Sequence, residues 1–486
     1  MSMFRTKLID NIIGLVEKCY YIILIAILLV ASFNIFYNLG VIPIYSWDEA
    51  RHGVSAYEMI KNSNYIVNTY AYKNDYWNLK PPISFWAIAM GYKFAGFNAL
   101  GLRVFSAFAA IITIVLVAIF SLNIYGRLTS LIATTVLTTT IPFITEHCAR
   151  TGDADAIYVL FFTISVMSLI LMERSIKWIY VFGLSFSAAF LTKSFHAGNI
   201  FFIGILYLIF SKNLFKLTLK QILTLVLSAS FPILIWAILR YANDGIAFFK
   251  TMIEFDLMAR TSRPLEGHIG GKCYYIEHLQ WSYFYWNLVF VAVSMTYLTI
   301  AHRYITDRKL INCNLIIWLS MIIPFILYTI SKTKISWYVL PIYPAAAIWI
   351  GYASGFILKE RNRNFATQIV LLAMIILSIY KSEEVIVTRI SNPKEDLSQE
   401  LIQEIGNLPE YRGEKIYVNH FEQSYWLDSE LYADLTPLEG GIEGFLKDNE
   451  DKTLLFIKKE DLDSLGNEKD NLKAILENDE AYIFAK

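Results

Sequence analysis

Asp48 and Glu49 follow an apolar run directly, inside the stretch Trp47-Asp48-Glu49-Ala50-Arg51. A carboxylate that takes a proton from a hydroxyl needs a partly desolvated cleft, with neighbours that set its charge state. Asp48 stands where a helix could begin, so backbone N–H groups could orient it. Arg51, one helical turn later, could pair with Asp48 or hold an anion. The same residues could equally be ordinary interface anchors at a bilayer edge. Further on, Lys80-Pro81-Pro82 puts a lysine before two prolines, which suit the start of a following helix and aim the ammonium. An aimed ammonium suits a phosphate.

Three more stretches carry similar chemistry. Glu146-His147-Cys148-Ala149-Arg150-Thr151-Gly152-Asp153-Ala154-Asp155 holds two aspartates two apart at the mouth of an apolar run. Acidic residues near lipid are costly and tend to be functional. Their spacing leaves a divalent metal open, while helix capping is the plain reading for Asp153. A later loop carries Asp256, Arg260, Arg263, His268, Lys272, Tyr274 and Tyr275, of which Arg260 and Lys272 could bind an anion. Ser331-Lys332-Thr333-Lys334 precedes Trp337-Tyr338. An anionic headgroup would explain these lysines, and snorkelling is the alternative.

The elements that position these residues follow from composition. Hydrophobic residues make up 56% of the chain and charged residues 17%, and mean hydropathy is +0.45. Soluble domains carry about 25% charge, so lipid is the expected solvent. The 42 basic residues equal the 42 acidic ones, which speaks against a nucleic-acid binder. The balance hides a split, +14 over residues 1–381 and −14 over 382–486. A span needs about 20 apolar residues. Eleven runs are expected, near 20–43, 102–124, 129–146, 155–172, 178–192, 197–211, 221–241, 282–300, 312–331, 337–357 and 365–381. Arg127, Arg174, Lys177, Lys212, Lys216, Lys220, Arg303, Arg308, Lys309, Lys359, Arg361 and Arg363 fall in alternate loops, with Arg5, Lys7 and Lys18 at the amino terminus. The positive-inside rule makes these cytoplasmic. The loops at about 44–101, 146–154, 193–196, 242–281 and 332–336 then face outward, with surface helices near 48–62 and 83–96. The expected fold is an all-α polytopic membrane protein with a small α/β soluble domain at 382–486. That domain has a helix near Glu395–Ile405 and strands at Lys415–Val418, Thr453–Ile457 and Ala481–Phe484.

Five outer loops thus present carboxylates and cations at headgroup depth, matching a polyprenyl phosphate. Lys80 or Arg260 would offset charge on a departing phosphate. Asp48 would take the acceptor's proton, and a single displacement would invert the sugar carbon. The ordered motifs resemble the GT-C glycosyltransferases that use lipid-phosphate sugars, in particular bacterial aminoarabinose transferases and relatives of the protein O-mannosyltransferases. The matching pieces are Asp48-Glu49-Ala50-Arg51, Lys80-Pro81-Pro82, Phe97-Asn98 with Arg103, and Ala149 through Asp155. Leu191-Thr192-Lys193, Asp256 with Arg260, and Ser331 through Lys334 with Trp337 through Pro341 complete the set. The resemblance implies Asp48 as base, Lys80 and Arg260 on the donor phosphate, Arg51 near the catalytic carboxylate, and Asp155 as the second acidic position. Two departures stand out. Leu79 replaces a Glu common before Lys-Pro-Pro, which removes a metal ligand. Asp256-Leu257-Met258-Ala259 stands where many relatives have a Glu-His pair.

The expected activity is an inverting transfer from an undecaprenyl-phosphate sugar to lipid A, another glycolipid, a polymer or a protein. It is expected on the outer face of a bacterial inner membrane, with no cofactor assigned and a divalent metal left open, though disfavoured by Leu79. Lys332 and Lys334 join the phosphate-binding set, and Arg150, Asp153, Lys193, Asp256, His268, Tyr274 and Tyr338 are supporting or substrate residues. A transporter would place ionisable groups near mid-membrane, often with internal repeats. A non-catalytic envelope assembly protein would not need Asp48. Cys148 and Cys273 both fall on the outer side, where a disulfide is permitted.

Overall fold

The computed structural model describes residues 2–301, 307–360, 365–419 and 422–486. Arg303, Arg361 and Arg363 lie outside the described residues. Helices dominate, and each expected apolar run contains one. Among the described residues, four are long and apolar enough to cross a membrane: Ala99–Tyr125, Trp178–Phe210, Leu219–Asp244 and Arg308–Ile330. A fifth crossing arises if Leu8–Lys18 and Tyr20–Phe36, bent by 72°, form one span. Length and composition thus support four or five crossings among the described residues, and Trp178–Phe210 joins two of the expected runs, 178–192 and 197–211, in one helix. Leu219–Asp244 buries only Trp236 and Arg240 and turns Leu223, Leu227, Phe231, Leu234 and Ile238 outward. Its backbone bonds close within the helix, so that apolar surface suits lipid.

Helix starts and close approaches position the outer end. The Asn98 side chain accepts from the Gly101 N–H at 2.9 Å and begins Ala99–Tyr125. A Cβ on Gly101 would lie 2.0 Å from the Gly96 carbonyl oxygen, and one on Gly91 2.1 Å from that of Gly101. Only glycine allows this contact between Ile83–Ala95 and Ala99–Tyr125. Ile83–Ala95 follows Pro82 immediately, as the Pro-Pro pair predicts.

The helix that carries the last apolar run extends to Ser391, so the composition boundary at 381 falls inside it. Beyond it lies a five-stranded sheet in the order Thr436–Leu438, Lys415–Val418, Leu454–Lys458, Ala481–Ala485, Lys473–Glu477. The first three strands run parallel and the last two pair antiparallel. The tail is docked on the membrane body. Trp426, Leu427 and Leu431 of helix Gln423–Ala433 share one core with Ile44, Ala50, Val54 and Tyr57 of the first outer loop. The Gln399 amide exchanges hydrogen bonds with the Ile44 backbone at 2.8 and 2.9 Å. All four cysteines are free, with Cys148 buried and Cys273 exposed.

Candidate active site

The five loops expected to face outward meet on one cavity of about 390 Å³. The first supplies Asp48, His52, Trp77 and Lys80; the second His147, Asp153 and Asp155; the third Lys193 and His196. The fourth supplies Arg260, Glu266 and His268, and the last Trp337 and Tyr338. Residues on or next to the wall sit on strained backbone. Trp47, His147, Ser194 and Glu266 have φ of 69°, 42°, 45° and 54°, a region that costs a non-glycine residue about 1–3 kcal/mol.

Asp48 opens the helix Asp48–Lys61, aimed by the turn at Trp47. No hydrogen bond or ion pair engages its carboxylate among the described residues. Its backbone carbonyl accepts from His52 Nδ1 at 2.7 Å. Every other carboxylate on the wall has a partner. Asp153 meets His147 Nδ1 at 2.9 Å, Asp155 pairs with Lys193, and Glu266 reaches Arg260 at 3.4 Å. Burial opposes charge on His147, but the bond to Asp153 and that carboxylate's charge win, raising the imidazole to about 9. His147 is therefore a cation at neutral pH, stacked on Trp337 with centroids 3.7 Å apart. His147, Asp153 and Asp155 offer ligand atoms within 4.8 Å of one another, enough for a divalent ion.

The cation cluster has a buried anchor. Asp256 Oδ1 takes Lys80 Nζ at 3.4 Å and Arg260 Nε at 3.0 Å, and Oδ2 accepts from Ser194 Oγ at 2.7 Å. Burial works against its charge, yet Lys80 and Arg260 outweigh it and hold the carboxyl well below the usual range. The wide π turns of Met252–Ala259 set Asp256 and Arg260 on one face. Two cations thus share one carboxylate, which fixes them and leaves donors free for an anion.

Seven expected residues lie off the cavity wall. Asp256 sits directly behind it. Glu49 is fully buried and meets Arg103 Nε and Nη2 at 2.7 Å each, while also accepting from the Gly152 N–H at 2.7 Å. Arg51 turns from Asp48 to Asp75, at 2.9 and 3.1 Å, stacked between Tyr70 and Trp77. It braces the loop that carries Lys80. Lys334 spends its ammonium on the carbonyls of Tyr328, Thr329 and Ser331, and Lys332 is exposed. Arg150 Nη1 donates to the carbonyls of Asn34 and Ile35. Tyr274 packs edge-on against Tyr275. The sequence reading missed His52, His196, Trp77 and Asp75. His52 lies one helical turn after Asp48, and that spacing was available.

A family model for dolichyl-phosphate-mannose-protein mannosyltransferases matches residues 79–236. ArnT from Cupriavidus metallidurans, bound to undecaprenyl phosphate, superposes with a TM-score of 0.72 at 13% identity. That match covers 95% of this chain and 97% of ArnT. The chain has the fold of that ArnT structure and resembles the GT-C glycosyltransferases. The archaeal oligosaccharyltransferase AglB from Archaeoglobus fulgidus, in complex with an inhibitory peptide and a dolichol-phosphate, shares this fold at a TM-score of 0.54 and 10% identity. The match covers 87% of this chain and 64% of AglB. An Aquifex aeolicus protein described as uncharacterized is 26% identical over 377 residues, which span 75% of this chain and 70% of the relative.

Proposed function

We propose that this chain transfers a glycosyl group from a polyprenyl-phosphate carrier to an acceptor hydroxyl, with inversion. The observation that carries the reading is the cavity's pairing of an unpartnered carboxylate, Asp48, with the Lys80–Arg260 cluster held by Asp256. The acceptor oxygen attacks the anomeric carbon as the carbon–oxygen bond to the phosphate breaks. The hydroxyl proton goes to Asp48. Lys80 and Arg260 stabilise the charge on the departing polyprenyl phosphate. The ArnT likeness and the mannosyltransferase model over 79–236 support a lipid-phosphate donor. The donor we favour is an undecaprenyl-phosphate sugar. The acceptor is an envelope glycolipid, polymer or protein, and the site faces outward from a bacterial inner membrane.

Sugar transfer measured in membranes with matched protein levels tests this. Asp48→Asn should lower the rate by about 10²–10⁴-fold, the usual worth of a general base. Lys80→Ala should weaken donor use. Full activity in both variants would sink the mechanism.

A further inference from the structure

A second cavity, about 600 Å³, lies between the membrane body and the docked tail. Ser46 lines both cavities, so the second opens two residues from Asp48. Its wall includes the cations Arg150, Arg389 and Lys394 and the carboxylates Glu395, Asp396 and Glu422. Arg150 is 3% exposed and has no carboxylate partner among the described residues. The charge that acts on it is that of another guanidinium, Arg103. Arg150 Nη1 is used on the last turn of helix Tyr20–Phe36, but Nη2 has no hydrogen-bond partner among the described residues. A buried guanidinium donor without an acceptor is costly. Its natural partner is an anion arriving with a ligand. Arg389 stands at the same wall, bonded to Thr145 Oγ1 at 2.9 Å and Glu146 at 3.2 Å. Lys394 is exposed and carries no ion pair among the described residues. On the tail side, Asp396 is engaged in capping Leu397–Glu404 through the Gln399 N–H at 3.0 Å.

We propose that this second cavity is the acceptor site, and that it takes an acceptor with an anionic group, a phosphate or a carboxylate, separate from the hydroxyl that is glycosylated. Arg150 and Lys394 hold that anion, and the hydroxyl then reaches past Ser46 to Asp48. The site rests on the transferase reading for its role but not for its ligand chemistry.

Calorimetric titration of the purified full-length protein tests it with glucose 6-phosphate, glucuronate and neutral glucose as probes. At least one charged probe should bind where glucose does not. Tighter binding of the first assigns a phosphate, and tighter binding of the second a carboxylate. Arg150→Lys keeps the charge and a donor for the helix end but loses the fork, and Lys394→Ala alters only an exposed side chain. Each should weaken binding about tenfold, the worth of one charge-assisted hydrogen bond. Lys80→Ala should leave probe binding unchanged while weakening undecaprenyl phosphate, titrated in parallel. Charged probes binding no better than glucose would overturn the proposal. So would binding that is lost in Lys80→Ala yet kept in the other two variants. Failure of undecaprenyl phosphate to bind wild type would count instead against the transferase reading.

Discussion

Asp48 and Glu49 are neighbours in sequence with opposite surroundings. Glu49 faces inward, fully buried on Arg103, while Asp48 faces the cavity without a partner. The sequence places both directly after the first apolar run and does not separate them, because helix phase decides which side chain turns inward. The partner that claims Glu49, Arg103, lies 54 residues away. Removing one member of a buried ion pair costs about 3–5 kcal/mol, since the other charge stays buried and uncompensated. Glu49→Gln should therefore lower thermal stability by that amount, whereas Asp48→Asn should melt within about 0.5 kcal/mol of wild type. Differential scanning fluorimetry in detergent distinguishes them; equal losses would contradict the assignment. A second expectation concerns the acidic pair. Asp153 and Asp155 already face cations, His147 and Lys193. Transfer should thus persist after chelation with EDTA, and a loss restored by a divalent ion would show that metal displaces those cations.

Among the elements, the helices near 48–62 and 83–96, the Pro-Pro start and three tail strands were legible, because each has a local signal: periodicity, a fixed backbone or a β-branched run. Helix Gln423–Ala433 was not. It is buried nearly all round, with Gln423, Asp428 and Glu430 inside, so it shows no apolar stripe. Its partner is Asp48–Lys61, and their interface holds titratable groups. Tyr57 donates to Asp434, Lys61 pairs with Asp434 at 2.5 Å, and Glu58 and Glu430 are both buried there. Burial raises the Glu58 carboxyl to about 7, although the Tyr72 N–H, at 2.9 Å, favours its charged form. Asp75 and Glu430 are the nearby carboxyls. A raised carboxyl binds its proton more tightly when folded. Its contribution is full below the unfolded value of 4.5 and is lost as pH rises through about 7. Docking of the tail helix should weaken over that window by on the order of 3 kcal/mol and level off above it. Hydrogen exchange across residues 423–433 should show this slope in wild type, and Glu58→Gln should flatten it. An unchanged slope in the variant would assign the titration elsewhere.

For the molecule as a whole, the charge split was legible but its spatial meaning was not. Composition shows the −14 tail as a separate acidic domain and does not reveal where it docks. It is instead a wall of the second cavity and a partner of the helix that begins with Asp48. The tail and the candidate site must therefore share one side of the membrane. Arg127, Arg174 and Lys359 of the alternate loops gather at the other end. Ala99–Tyr125 begins beside Arg103 and Glu49 and ends where Arg174 donates to the Asn123 carbonyl at 2.8 Å. Arg127 reaches the Glu17 carbonyl at 3.1 Å, and Lys359 pairs with the Glu17 carboxylate at 2.7 Å. Positive residues near span ends are retained in the cytoplasm, so this end is expected inside, and the cavity with its tail outside. A topology reporter fused after Lys486 should give the outer-face signal. Because Trp426 and Leu427 tie the tail to the first loop, a cytoplasmic signal would move the catalytic cavity inward with it. That result would refute an outward-facing transferase without touching the fold.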